Sequence, residues 1–150
     1  MQSARLELVF HLGLVLVAPF WLAMIFAPRS RAVARVIASP FSVAGPALLY
    51  LFLLAPHFAQ ILPVLARPNL ATIAALLASP LGAALAWMHF LAFDLFVGRW
   101  IFLESQSRDA NPFLVSAILA LTVMIGPCGL LVYFGLTSLK KAPSTVASRP

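Results

Sequence analysis

The sequence WMHFLAFDLFVGRWIFLE, residues 87–104, places four ionisable side chains in an otherwise apolar helix. The apolar run from Leu81 to Leu103 has the length of about 20 residues that a helix needs to cross a hydrocarbon layer of roughly 30 Å. Asp94 lies ten residues before Glu104, which places it roughly 15 Å from that end and near the bilayer centre. Because a charge there costs on the order of 3 kcal/mol, Asp94 must face protein or water and have a partner.

The composition of the whole chain is typical of an integral membrane protein. Hydrophobic residues make up 63% of the 150 residues and charged residues 9%, with a mean hydropathy of +1.02, whereas about a quarter of a soluble domain is charged. The net charge of +6 comes from basic residues at predicted helix ends, where they would meet lipid headgroups. The expected partner is therefore the lipid bilayer, and nucleic acid is not expected.

The pattern of apolar runs predicts an all-α fold, an integral membrane four-helix bundle in a single domain over residues 1–150. The expected spans are 6–27, 43–65, 81–103 and 113–139, and prolines inside them predict kinks. Residues Leu70 to Ala78 are too few to span, so they predict a short re-entrant or interfacial helix between the second and third spans. The tail 140–150, rich in Ser, Pro and Ala, is expected to be disordered.

The basic residues do not predict an orientation in the membrane, because four spans divide them equally between the two sides. One side would hold Arg5, Arg67, Lys140, Lys141 and Arg149, and the other Arg29, Arg31, Arg35, Arg99 and Arg108.

The ionisable residues of the third span predict that this helix lies at the centre of the bundle. Each five-residue step, from His89 to Asp94 and from Asp94 to Arg99, rotates the helix by about 140°, so the three side chains do not share a face. Their partners must come from other helices on at least two sides. We expect Asp94 to be ionised and paired with a cation, either Arg99 after local bending or an arginine of another span. A structural salt-bridge network and a functional site both remain open.

Three histidines are predicted to lie at a similar depth in the bundle. Counted from the side of the N-terminus, His11, His57 and His89 are each about five to eight residues inside, and Tyr133 is near this level. Three imidazoles can hold a metal and one can bind a pigment, but separate hydrogen-bonded roles are also typical of bundle histidines. We predict no metal. Trp100, near the end of its span, indicates an interfacial anchor.

Several motifs resemble the abscisic-acid-deficient-four-like family, and the resemblance covers most of residues 6–139. The family consists of small membrane proteins with four predicted helices, named for a plastid member required to make neoxanthin from violaxanthin. The matching motifs are WMH at 87–89, AFDLFVGRWI at 92–101, LT at 121–122, GP at 126–127 and GLLVY at 129–133.

This resemblance implies an isomerisation that opens an epoxide to an allenic alcohol and needs an acid and a base but no redox cofactor. By the resemblance, His89 and Asp94 are the candidate acid–base residues, and Arg99 holds the carboxylate charged or binds a hydroxyl group. Glu104 stands where many relatives are expected to have aspartate. No cofactor is expected. The candidate ligand-binding residues are Trp87, Phe90, Glu104, Tyr133, His57 and His11.

The sequence thus predicts a multi-pass membrane protein that binds a carotenoid or related isoprenoid, with isomerisation as the further hypothesis. The alternative is a non-catalytic subunit of a pigment–protein or enzyme complex, with other membrane proteins as partners. A transporter is not expected, because no internal repeat is visible. The chain starts directly at its first span without a Ser-rich and Arg-rich leader, which predicts a bacterial inner membrane, cytoplasmic or photosynthetic, rather than a plastid.

Overall fold

The computed structural model describes residues 2–139, with side chains from 4 to 138, and within this range the protein is all-α. The predicted tail 140–150 lies outside the described residues. The helices are α1 (Gln2–Phe26), α2 (Arg31–Ala38), α3 (Phe41–Leu54), a 3₁₀ turn (Ala55–His57), α4 (Phe58–Ala66), α5 (Leu70–Ala78), α6 (Pro80–Ser107), α7 (Pro112–Met124) and α8 (Gly126–Leu139).

Three segments are long and apolar enough to cross a membrane: Ala4–Phe26, Phe41–Ala66 and Pro80–Ser107. They correspond to the first three predicted spans and fit integration into a membrane. The second segment consists of α3 and α4 joined by the 3₁₀ turn that contains Pro56. A 3₁₀ turn thus interrupts the span in which the prolines predict a kink, because proline removes a backbone donor and disturbs the preceding turn.

Helix α6 lies at the centre of the fold, as predicted, and contacts α1, α2, α3, α5, α7 and α8. Its residues Leu95, Ile101 and Phe102 are at most 1% exposed. One close approach to α1 is at Gly98, where an added Cβ would lie 2.6 Å from a ring carbon of Trp21. A side chain at this position would separate the two helices. The other buried residues of this core are Val17, Met24, Ile37, Val115, Ile118, Leu119 and Tyr133.

The predicted fourth span is not one helix, and this corrects the four-helix description. Helices α7 and α8, of 13 and 14 residues, fold back on each other as a hairpin. Gly129 of α8 lies against Thr122 of α7, and an added Cβ would be 2.7 Å from the Thr122 Cα. Farther from the turn, Tyr133 and Ile118 line one cavity together. The chain therefore enters the bundle beside α6, reverses, and returns to the end from which it came.

The reversal occurs at Ile125, whose backbone leaves the helical region with φ −144° and ψ 75°. Pro127 lacks a backbone N–H and disfavours a helical conformation in the residue before it, so the first helix ends here. Gly129 then allows the two helices to approach, because Thr122 occupies the space of a Cβ. The sequence predicted a kink at this point, and the structure shows a complete turn.

The connection between the first two apolar segments contains a short helix that the sequence analysis did not predict. Residues 31–38 form α2, whose first turn is capped by Ser30, the side-chain oxygen of which accepts from Val33 N. Arg31 and Arg35 are exposed and Ile37 is buried, so the helix is amphipathic.

The short helix α5 spans Leu70–Ala78, with the bounds that the sequence predicted. The Asn69 side chain caps it by accepting from Thr72 N at 2.9 Å. Its packing partner is α6.

Candidate functional site

Asp94, at the middle of α6, faces the start of α8. An added Cβ at Gly126 would lie 3.0 Å from the Asp94 Cγ and still closer to one carboxyl oxygen. The tip of the hairpin therefore lies at the level of this carboxyl group. The N-terminal end of a helix carries partial positive charge, which favours an anionic side chain beside it. Among the described residues no arginine forms a salt bridge with Asp94, and its neighbour on this side is the start of α8.

Arg99 binds a different part of the protein, which corrects the predicted Asp94–Arg99 pair. Its guanidinium donates to the Ile37 carbonyl at 2.7 Å and to the Ala38 carbonyl at 2.6 Å. These carbonyls lie in the last turn of α2, where a cation also compensates the helix dipole. The rotation of about 140° between positions 94 and 99 explains why the two side chains point to different neighbours.

His89 lies on a third side of α6, where it contacts aromatic rings. Its imidazole stacks on Phe93 with a centroid distance of 4.5 Å and contacts the edge of Tyr50 on α3 at 5.9 Å. His89 is exposed. The three candidate catalytic residues therefore point toward α3, α8 and α2, and they do not form one cluster.

An exposed row of aromatic side chains, which we term the aromatic face, runs along α6. It consists of His89, Phe93, Phe96 and Trp100, which lie within about 60° of one direction and extend over about 16 Å of helix. Phe93 is 59% exposed, Phe96 50% and Trp100 37%. Sequence reasoning missed three of these residues, although their spacing of i, i+4, i+7 and i+11 indicates a shared helix face.

Two neighbouring helices supply aromatic rings at the edges of the aromatic face. Tyr50 of α3 contacts His89, and Phe134 of α8 lies 5.5 Å from Trp100 between ring centroids. Phe90, a predicted ligand-binding residue, is 56% exposed and lies beside His89 at 6.3 Å. These rings give the surface the character of a shallow apolar platform rather than a closed pocket.

Tyr133 and Glu104 lie near the far end of the aromatic face. Tyr133 contacts Trp100 at 5.5 Å and is 3% exposed. Its hydroxyl is buried without a hydrogen-bond partner. Glu104 accepts from Arg108 at 2.7 Å in the one salt bridge found among the described residues. Tyr133 also lines a cavity of about 310 Å³ with Arg108 and Thr137.

The other predicted ligand-binding residues lie away from the aromatic face. Trp87 stacks on Phe10 at 5.1 Å, and its indole nitrogen is buried without a partner. His11 contacts the edge of Phe10 at 5.8 Å. His57 makes a local hydrogen bond of 3.2 Å to the Leu53 carbonyl.

The three histidines make separate contacts instead of forming one layer of ligands. In the part of the chain that the structure describes, no group of three His, Cys, Asp or Glu side chains is placed to hold a metal ion. His57 instead lines an apolar cavity of about 820 Å³ between α1 and the 3₁₀ turn, with Arg5 and Val9.

Comparison with known proteins agrees with the sequence motifs. The family model described as ABA DEFICIENT 4-like matches residues 8–133, which include the whole aromatic face. The chain is 27% identical over 135 residues to the protein ABA DEFICIENT 4, chloroplastic, of Arabidopsis thaliana, a match that covers 84% of this chain and 59% of that protein. No solved structure matches significantly.

The chain thus spans about 59% of the length of this curated relative. The relative's name places it in the chloroplast and so gives no support to the predicted bacterial inner membrane, which stays a prediction. The family match extends from α1 to α8 and contains every candidate residue of α6. The chain belongs to the ABA DEFICIENT 4-like family.

Proposed function

We propose that this protein is an integral membrane protein that binds a carotenoid or a related isoprenoid along the aromatic face of α6. The observation that carries this proposal is the exposed row from His89 to Trp100, edged by rings of α3 and α8. A polyene is flat and apolar, and its faces can stack on aromatic rings over an extended length. Aromatic pairs contribute about 0.5–1.5 kcal/mol each beyond the burial of their area.

The position of the aromatic face suits a ligand that dissolves in lipid. The face opens outward rather than into a closed cavity, so a ligand can reach it from the acyl chains of the bilayer. Aliphatic side chains are sufficient on a surface that faces lipid, because lipid tails are as apolar as leucine. Four ring side chains in one row therefore favour a ligand with ring or polyene character.

The further step, isomerisation, rests on the family resemblance and on the acid–base chemistry of the His89 and Asp94 side chains. Opening an epoxide to an allenic alcohol breaks one C–O bond while an acid donates a proton to the oxygen, and a base removes a proton from carbon. The substrate is neither oxidised nor reduced overall, so the reaction needs no redox partner. His89 lies at one end of the aromatic face, and an imidazole carries both a proton donor and a proton acceptor, as an acid–base catalyst requires. Asp94 is the second acid–base candidate and lies five residues farther along α6.

Arg99 has a different role in this proposal from the one that the sequence suggested. Both of its hydrogen bonds hold the end of α2. It therefore acts as a positioning residue for the helix beside α6. The predicted ligand-binding residues Trp87, His11 and His57 stay predictions without a part in this binding surface.

Absorption spectroscopy of protein purified from a carotenoid-producing host tests the binding proposal. The double variant Phe93→Ala with Trp100→Ala should lose most of the bound pigment relative to wild type. Phe113→Ala is a matched control, because this ring is 85% exposed on α7 and lies outside the aromatic face. Equal pigment in all three proteins would refute the proposed site.

The same preparation separates binding from catalysis and from a subunit role. If His89 and Asp94 carry out acid–base chemistry, His89→Gln and Asp94→Asn should retain pigment and lose turnover of an epoxide-containing carotenoid. Pigment-free protein that co-purifies with a stoichiometric membrane partner would instead favour the alternative, a non-catalytic subunit of a larger complex.

A further inference from the structure

The hairpin of α7 and α8 changes the distribution of basic residues between the two ends of the bundle. A fourth span would place the end of α8 on the side opposite the end of α6. In the structure, Tyr133 of α8 contacts Trp100, and Thr137 shares a cavity with Arg108, which directly follows α6. Helices α6 and α8 therefore finish at the same end of the protein.

We term this end, formed by α2, the last turns of α6 and residues 108–111, the arginine end. Among the described residues, its basic side chains outnumber those of the opposite end by five to two. The arginine end holds Arg29, Arg31, Arg35, Arg99 and Arg108 against Glu104 and Asp109, and the opposite end holds Arg5 and Arg67 against Glu7.

Four of these arginines are exposed. Arg29, Arg31 and Arg35 are exposed on α2 and just before it. Arg108 is paired with Glu104. The apolar side of α2 packs into the core through Ile37, which is 1% exposed. An amphipathic helix with arginines outward is typical of a segment that lies in the headgroup region.

A polar cavity at the same place could hold a headgroup. It has a volume of about 490 Å³ and is lined by Arg29, Arg31, Gln106 and Asp109, among others. Two guanidinium groups can bind a phosphate through paired N–H donors. The single carboxylate of Asp109 leaves the two arginines in excess, so the local charge favours an anion.

We propose that the arginine end faces the cytoplasmic leaflet and that Arg29, Arg31 and Arg35 bind the phosphate groups of acidic phospholipids. Short connections that carry an excess of Lys and Arg remain on the cytoplasmic side. The anionic lipids of that leaflet attract basic residues at the surface by about 1 kcal/mol each, or roughly fivefold in binding. The opposite end, with Arg67 in the connection between α4 and α5, then faces away from the cytoplasm.

Cysteine labelling tests the topology in a Cys128→Ala background, which removes the chain's single cysteine. The exposed positions Ser107, Ser138 and Pro68 are replaced one at a time by cysteine. A membrane-impermeant maleimide applied to intact bacterial cells should label Pro68→Cys alone. In inside-out vesicles it should label Ser107→Cys and Ser138→Cys.

Two labelling results would overturn the inference. Labelling of Ser107→Cys in intact cells would place the arginine end on the outer side of the membrane, away from the cytoplasm. Labelling of Ser107→Cys and Ser138→Cys from opposite sides would show a complete fourth span and remove the charge difference on which the inference rests.

Native mass spectrometry tests lipid binding after reconstitution in mixed phosphatidylcholine and phosphatidylglycerol. Replacing Arg29, Arg31 and Arg35 together by glutamine should lower retained phosphatidylglycerol by roughly fivefold per arginine. The corresponding triple lysine variant should retain the lipid, since it keeps the charge, and so should Arg5→Gln combined with Arg67→Gln. Wild-type retention by the triple glutamine variant, or loss by a folded triple lysine variant, would contradict the proposal.

Discussion

Replacing Arg99 by alanine should detach the end of α2 from α6 and destabilise the fold without affecting Asp94. The guanidinium donates two short hydrogen bonds, to the Ile37 carbonyl at 2.7 Å and to the Ala38 carbonyl at 2.6 Å. A hydrogen bond from a charged donor contributes about 1.5–3 kcal/mol. Because the bond to Ala38 is exposed, we expect the lower end of this range and a total loss of about 3 kcal/mol. The free energy of unfolding can be measured by SDS titration in mixed micelles with far-UV circular dichroism.

Arg35→Ala is the matched control for this measurement. Arg35 is an exposed arginine of α2 itself, so its replacement should change the stability by less than about 0.5 kcal/mol. A loss at Arg35 as large as that at Arg99 would show that general charge at α2, and not the two hydrogen bonds, provides the stability.

The double variant Asp94→Asn with Arg99→Ala distinguishes the observed contacts from a buried ion pair. Asp94 lies at Gly126 and Arg99 at α2, so the two losses should add within about 0.5 kcal/mol. If the two residues formed a buried pair, removing the second would recover much of the loss caused by the first. A recovery of more than about 1 kcal/mol would refute the placement of Arg99.

Two further substitutions test the hairpin and its surroundings. Gly126→Val should lower the free energy of unfolding by about 1–3 kcal/mol, because the added side chain displaces the Asp94 carboxyl. Gly135→Ala has nothing within 4 Å of the added Cβ, so it should leave the stability unchanged or raise it by up to about 1 kcal/mol. Equal effects of the two substitutions in the SDS titration would argue against the tight hairpin tip. Tyr133→Phe should leave the stability unchanged or raise it by about 1 kcal/mol, because the buried hydroxyl has no partner; a marked loss would show that this hydroxyl is bonded.

The parts of the fold that the sequence predicted correctly depend on local signals. Helix α5 has a capping Asn69, and α6 begins at Ser79-Pro80, where the serine oxygen accepts from Gly82 N. Length and hydropathy identify the three long helices. Such features are encoded within a few neighbouring residues, so no knowledge of the tertiary structure is needed to find them.

The hairpin depends on the packing of two adjacent short helices, and α2 depends on a contact between distant residues. An apolar stretch of this length is compatible with one span or with two short helices, and in the structure Gly129 of one short helix packs against Thr122 of the other. Helix α2 has only eight residues, which is marginal in isolation. Its last turn is held by Arg99, more than 60 positions away. Neither contact can be read from sequence spacing.

The candidate site was predicted only in part, because its contacts also involve other helices. The sequence correctly indicated that His89, Asp94 and Arg99 point in different directions, because helix geometry fixes their angular separation. It did not indicate that backbone groups, the α2 carbonyls and the start of α8, would be their neighbours. The spacing of the aromatic residues is sufficient to predict the aromatic face, but the sequence analysis concentrated on the ionisable residues of the same helix.

The most direct test of the account is photo-crosslinking from inside the aromatic face. The photoreactive amino acid p-benzoylphenylalanine replaces Phe96, which is 50% exposed, and in a second protein it replaces Phe113, which is 85% exposed on α7. Both proteins are reconstituted with a hydroxylated carotenoid and irradiated, and adducts are measured by intact-protein mass spectrometry. We expect adduct at position 96 well above that at position 113. Equal adduct at the two positions, or more at 113, would contradict binding along α6.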